Sequence, residues 1–372
     1  MIDLDSFRSD ARAWLASHSR EAPRDYGAIT PPDLVDAAIA WQKLLYADGW
    51  AGIHWPTEHG GQGLTPDHNA TWIEECARVG VPAFINMVGI VLAGTVIQKF
   101  GTDEQKRAHL RATLAAEQVW CQLFSEPGAG SDLGSLSTRA ERDGERWRVN
   151  GQKVWTSGGR YSDWGILMAR TDPDAPKHKG ISFFLMDMTL PGIEVRPLRQ
   201  MTGEAEFDEV FFTDVEMPGD ALIGPENEGW MVGMATLTSE RGHIGASIIG
   251  LERRLERIAA LGQGVGGAAD LGPVDRDRLA TLLSGGNAFR ALALRQGPVA
   301  STAGSLMKLG ITELMFDVSM LRGDLAGPEA MLEGPEATGM LAAPGGRIAG
   351  GTSQVQRNII GERLLGLPRE PS

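Results

Sequence analysis

The chain has 372 residues, 42% hydrophobic and 22% charged, the make-up of a globular protein too long for one small core. Its formal net charge of −13 argues against nucleic acid and anionic membrane surfaces as partners, because both reward basic patches. Two cysteines, Cys76 and Cys121, leave no disulfide framework and fit a reducing compartment, so a cytoplasmic protein is expected.

The opening Met1-Ile2-Asp3-Leu4-Asp5 is acidic and lacks the profile of a secretory signal. Leu4, Phe7, Ala11, Trp14 and Leu15 recur at helical spacing, as do Leu34, Ala38, Trp41 and Leu45. Pro32 and Pro66 stand where they would open helices. The stretch 79–97 carries no charge, but Pro82, Asn86, Thr95 and its glycines predict a buried helix, not a membrane span. Residues 1–118 thus read as helical.

From 119 to 222 the period changes to two. Alternation over 146–155 around Asn150-Gly151 predicts a hairpin. Further strands are expected at 165–169, 181–188, 193–198 and 209–215. After Gly224 the pattern is helical again, with a Gly-rich break at 261–272 and a loose stretch from Gly327 to Gly346, disordered-looking by composition from Met331 on. Helices, then strands, then helices, with no βαβ alternation and no GxGxxG after a strand, exclude a Rossmann domain. The histidines have no metal-ligand spacing.

The residues 125–132, Ser-Glu-Pro-Gly-Ala-Gly-Ser-Asp, form a tight loop type whose backbone approaches a ligand closely and offers N–H and hydroxyl donors. With 100–106, 151–159 and 351–357, in that order and spacing, this loop resembles the acyl-CoA dehydrogenase family over nearly the whole chain. The resemblance implies an α+β fold: an N-terminal helical domain (1–118), a middle antiparallel β-barrel or sandwich (119–222) and a C-terminal helical bundle (223–372). It also implies FAD. Gln122, Phe124 and Ser125 would line the isoalloxazine, together with the loop residues Gly130 and Ser131. Trp155 would pack on the ring and Ser157 would lie near N5, while Thr352 and Gln354 would meet the cofactor farther along. Ser131 matches a substrate thioester contact as well, and Glu126 and Asp132 read as acids that organise the loop.

In the commonest version of the family a glutamate directly before the Gly-Thr pair removes the α-proton. Here that position is Gly350, ahead of Gly351 and Thr352, and glycine is no base. The resemblance supplies a replacement, Glu240, placed as in the isovaleryl-CoA and long-chain types. Arg241 would sit near the substrate, and the Gly350–Gly351 backbone near the thioester. Desolvation beside an apolar substrate raises a carboxyl pKa, which suits a general base.

Two family stretches that complete a neighbour's flavin site, Arg-x-x-Phe-Gly and Gln-x-x-Gly-Gly-x-Gly, are missing. Three assemblies follow: a homodimer or homotetramer with substitute contacts, a hetero-oligomer with a second acyl-CoA dehydrogenase chain of the steroid side-chain type, or a flavin-free partner subunit. Electron-transfer flavoprotein is the implied electron acceptor. The competing chemistry on the same fold is a flavin monooxygenase or oxidase, which lacks the glutamate.

Overall fold

The computed structural model describes residues 2–24, 26, 29–244, 256, 260, 271–293 and 300–368. Their contacts divide into two units, 1–200 with 204–240, and 201–203 with 241–372.

In the first unit the 3.6-residue period becomes packing. Helix α1 (Leu4–His18) starts where the Asp3 carboxylate accepts from the N–H groups of Asp5 and Ser6. Its Phe7, Ala11 and Leu15 bury against Trp41 and Leu45 of α2 (Val35–Ala47) and Trp72 and Cys76 of α3 (Pro66–Val79). Pro66 opens α3, and left-handed Gly80 closes it. The uncharged stretch is not one helix. Val79 ends α3 with half its surface exposed, and helical backbone resumes at Val88 with a π turn running into α4 (Gly94–Phe100). Pro82 explains the gap, because it cannot donate into a helix interior. No described helix is long and apolar enough to cross a membrane.

Helix α5 (Asp103–Leu114) begins with a reciprocal Thr102–Gln105 capping box. The Gln105 side-chain amide also donates to the carbonyls of Asp220 and Leu222 at 2.8 and 3.0 Å, tying the helices to the end of the sheet. That sheet has seven strands: β1 (Trp120–Leu123), β2 (Arg139–Asp143), β3 (Arg146–Ser157), β4 (Trp164–Arg170), β5 (Ile181–Asp187), β6 (Ile193–Leu198) and β7 (Phe207–Pro218). The order is β1-β4-β2-β3-β7-β6, with β5 also on β4. Most pairs are antiparallel, as expected; β4 runs parallel to β1 and to β2. Alternate residues of β4 serve different cores. Ile166 and Met168 join the helices, while Leu167 and Ala169 join Trp147, Val149 and Val215. Both faces are covered, which is why β4 and β5 are nearly continuous apolar runs.

The Asn-Gly pair is not a hairpin turn. Strand β3 runs straight through it, and the β2–β3 turn falls at Gly144, with φ +61°. Asn150-Gly151 instead marks a register shift against β7. There Asn150 exchanges hydrogen bonds with Asp214, giving its Nδ2–H and accepting from the Asp214 backbone at 3.0 and 2.8 Å. A Cβ on Gly151 would lie 2.5 Å from Thr138 Oγ1 and 2.7 Å from its Cα. Gly151→Ala is therefore expected to destabilise the protein by about 1–3 kcal/mol, read from urea or thermal unfolding; an unchanged midpoint would contradict it.

In the second unit lie α7 (Pro273–Ala293), α8 (Ala300–Ala326), α9 (Pro335–Gly346) and α10 (Ser353–Ile359); α6 (Gly229–Ile244) spans the division. Leu279, Leu282, Leu314, Val318 and Leu321 form the core of this unit. The stretch before Gly346 read as loose, yet it is the helix α9. Pro335 sits at its first turn, Glu336 pairs with Arg322 of α8 at 2.6 Å, and Gly323 makes room for Met340. The Gly-rich segment 261–270 lies outside the described residues.

Candidate active site

The predicted residues of the first unit meet where the loop after β1 lies along β3. Gln122 is on β1, and Phe124 and Ser125 follow it directly. Glu126 and Ala129 close the loop through paired backbone hydrogen bonds of 3.1 and 3.0 Å, and the Val154 N–H donates to Ser125 O at 2.9 Å. Phe124 is buried edge-on against Phe183, with ring centroids 5.6 Å apart. Gly130 and Ser131 are exposed, and a Cβ on Gly128 or Gly130 would meet nothing within 4 Å. The loop top is thus open while its base is fixed.

What fixes the base is a buried ion pair. Lys153 Nζ donates to Glu126 Oε1 at 2.8 Å and to Phe124 O at 2.9 Å; their side chains are 0% and 5% exposed. Glu126 also accepts from Ser137 N–H, Ser137 Oγ–H and Thr138 N–H at 2.7 to 2.8 Å. Burial alone would push this carboxyl up. The Lys153 charge and hydrogen bond, with the Thr138 and Ser137 donors, outweigh burial and bring it down to about 2. The sequence pointed to Glu126 but not to Lys153. The signal was present: counting by twos from buried Trp147 and Val149 lands on Lys153, a charge on the core face. Asp132 accepts from Ser135 Oγ–H and Lys177 at the far end of the loop.

Two residues beyond Lys153, Trp155 has φ +61° and is 56% exposed. The register of β3 on β7 breaks between Lys153 and Thr156, so Trp155 stands out from the sheet with Phe207 set edge-on to it, centroids 5.8 Å apart. A left-handed tryptophan stores about 1–3 kcal/mol of strain, held by its surroundings and concentrated at working sites. Ser157 and Gly158 then turn into a corner set by Asp208, which accepts from Arg160 N–H at 3.0 Å and has the guanidinium at 2.7 Å. Burial pushes the Asp208 carboxyl up despite Arg160. Ser157 lines a partly open cleft with Met87, Val88, Trp120, Gly158 and Tyr161. Cys121, beside this site, is fully buried, and burial pushes its thiol up to about 12, so it is a small apolar filler.

Of the other predicted residues, Glu240 ends the first unit, and Arg241, Gly350, Gly351, Thr352 and Gln354 belong to the second. Gly350 and Gly351 are left-handed, with φ of +66° and +97°. Thr352 caps α10, its Oγ1 accepting from Val355 N–H at 3.2 Å, and Gln354 is exposed on that helix. Glu240 and Arg241 are on α6, and their side chains are outside the described residues. An exposed, strained indole beside an open glycine loop, with half-buried serines at its edge, fits a flat ring system whose rim needs hydrogen-bond donors.

The chain matches the acyl-CoA dehydrogenase N-terminal domain at residues 3–117, the middle domain at 121–215 and the C-terminal domain at 274–365. It is 38% identical to the acyl-CoA dehydrogenase IpdE1 of Mycobacterium tuberculosis, covering 100% of this chain and 99% of that one. Among solved structures it is similar to the Tcur3481-Tcur3483 steroid ACAD, with TM-score 0.84, 28% identity and coverage of 99% and 98%. It is also similar to the ChsE4-ChsE5 complex from Mycobacterium tuberculosis, with TM-score 0.79, 29% identity and the same coverage. Clamped loop, strained tryptophan and full-length likeness agree: the chain belongs to the acyl-CoA dehydrogenase family of FAD-dependent oxidoreductases.

Proposed function

We propose that this protein oxidises a ring-bearing, steroid-derived acyl-CoA to its trans-2-enoyl-CoA, working in the cytoplasm as the flavin-holding subunit of an assembly with a second acyl-CoA dehydrogenase chain. The observation that carries the reading is the loop 124–132, clamped by Glu126–Lys153 onto the strand that projects Trp155. Gln122, Phe124, Ser125, Gly130, Trp155 and Ser157 would hold the isoalloxazine, and Thr352 and Gln354 the rest of the cofactor. FAD, when bound, supplies the acceptor for the hydride leaving the β-carbon. The protein's own part is to exclude water, orient the thioester through Ser131, Arg241, Gly350 and Gly351, and take the α-proton on Glu240. The substrate thereby loses one proton and one hydride, and the electrons pass on to electron-transfer flavoprotein. The two-chain assembly is favoured because solved relatives carry paired names and this chain lacks the Arg-x-x-Phe-Gly stretch.

Purified protein, alone and co-expressed with a second family chain, should be titrated anaerobically with straight, branched and ring-bearing acyl-CoAs while the visible spectrum is followed. Yellow protein bleached by the ring-bearing thioester is the expected result, with colour strongest in the co-expressed pair. Bleaching by none of the three overturns the reading. Rapid reoxidation in air with a hydroxylated product would reassign the chain as a monooxygenase.

A further inference from the structure

In the loop 349–352, the carbonyl oxygens of Gly350 and Gly351 both accept from one side chain. Gln356 on α10 is fully buried, and its Nε2 lies 3.1 Å from Gly350 O and 3.5 Å from Gly351 O. Both peptides are trans, and a trans peptide directs its N–H opposite to its C=O. The N–H groups of Gly351 and Thr352 therefore point away from the buried amide. Among the described residues, the N–H groups of Gly350, Gly351 and Thr352 donate to no backbone carbonyl. The Gln356 Oε1 is buried without a partner, so this amide is committed to the loop through its donor end alone.

The flanks of the loop are held from α8. Glu313 accepts from Arg347 Nε at 3.2 Å and from Ser353 Oγ–H at 2.6 Å, with a second Arg347 nitrogen at 2.9 Å. The Ser353 N–H donates to Arg347 O at 3.0 Å, pinching the two ends together. Between them, Gly350 and Gly351 adopt the left-handed backbone that glycine permits, with both carbonyls turned to Gln356.

We infer that Gln356 is a positioning residue, supported by Glu313: it turns the Gly350–Gly351 peptides so that the N–H groups of Gly351 and Thr352 receive the thioester oxygen of the substrate. This rests on the acyl-CoA reading above. When the α-proton leaves, negative charge gathers on that oxygen, and donors already aimed at it lower the barrier. Gln356 itself touches no reacting atom.

The test uses the FAD-loaded protein, in its two-chain assembly if that is the purified form, with Gln356→Met, Gln356→Glu and Glu313→Gln. Methionine keeps the volume but cannot donate, and glutamate turns the donor into a repelling acceptor. For both Gln356 variants kcat should fall about 10- to 100-fold, while KM moves less than threefold. The second readout is the infrared stretch of a 13C-labelled thioester carbonyl, in the acyl-CoA that bleaches the wild type. Bound to wild type it should shift to lower frequency, and Gln356→Met should lose at least half of that shift. Glu313→Gln should move both readouts the same way by less.

Full carbonyl shift and kcat within threefold in both Gln356 variants would overturn the inference. So would variants that fail to fold, which would assign the amide to stability. Failure of the acyl-CoA reading has a different signature, a wild type that neither bleaches nor shifts the carbonyl, and it would remove both.

Discussion

Glu240→Gln should lower the rate of flavin bleaching by an acyl-CoA about 10²- to 10⁴-fold, the range a positioned general base supplies. The reaction needs a carboxylate for the α-proton, and Gly350 occupies the position where relatives most often carry one. Glutamine preserves shape and hydrogen bonding but takes no proton at neutral pH. Cofactor content and chemical reduction by dithionite should stay as in wild type, which separates loss of the base from loss of the site. Anaerobic stopped-flow absorbance checks this directly. A bleaching rate within threefold of wild type would withdraw Glu240 as the base and send the search to other carboxylates.

The second large effect is on stability. Lys153→Met should cost about 3–5 kcal/mol at neutral pH, because it strands a buried carboxylate. Wild-type Glu126 titrates at about 2 against an ordinary 4.5. A lowered carboxyl contributes stability that is fully present above its unfolded value and is lost as pH falls toward the folded one. In the variant, burial no longer opposed by Lys153 pushes the Glu126 carboxyl up, so it protonates early on acidification. The gap in melting temperature between wild type and Lys153→Met should accordingly be widest near pH 7 and close toward pH 4. The double variant with Glu126→Gln should recover part of the loss, since no charge is left stranded. A gap that is small or constant from pH 7 to pH 4 would contradict the account. Because Lys153 also holds Phe124 O, weaker flavin retention should accompany the lost stability.

These residues divide by how far apart in the chain their reasons lie. Helices α1 and α2 and strand β6 were legible because a period of 3.6 or 2, a cap and a proline act over a few neighbours. The loop 125–132 was legible for the same reason, as a local run of Pro, Gly, Ser and Asp. The Asn-Gly pair was ambiguous: the same dipeptide serves a turn or a bulge, and only Asp214, 64 residues on, selects the bulge. Glu126 and Lys153 are 27 residues apart and Glu313 and Ser353 are 40 apart, so neither partnership is visible to any local pattern. Helix α9 buries no residue of its own, and nothing amphipathic announces it; its contacts with α8 do. The sequence by itself determined the family and the order of helices and strands. Tertiary structure alone decided which charges are paired in the core and why a tryptophan stands strained at the surface. Those depend on contacts between distant residues, made only once the chain has brought them together.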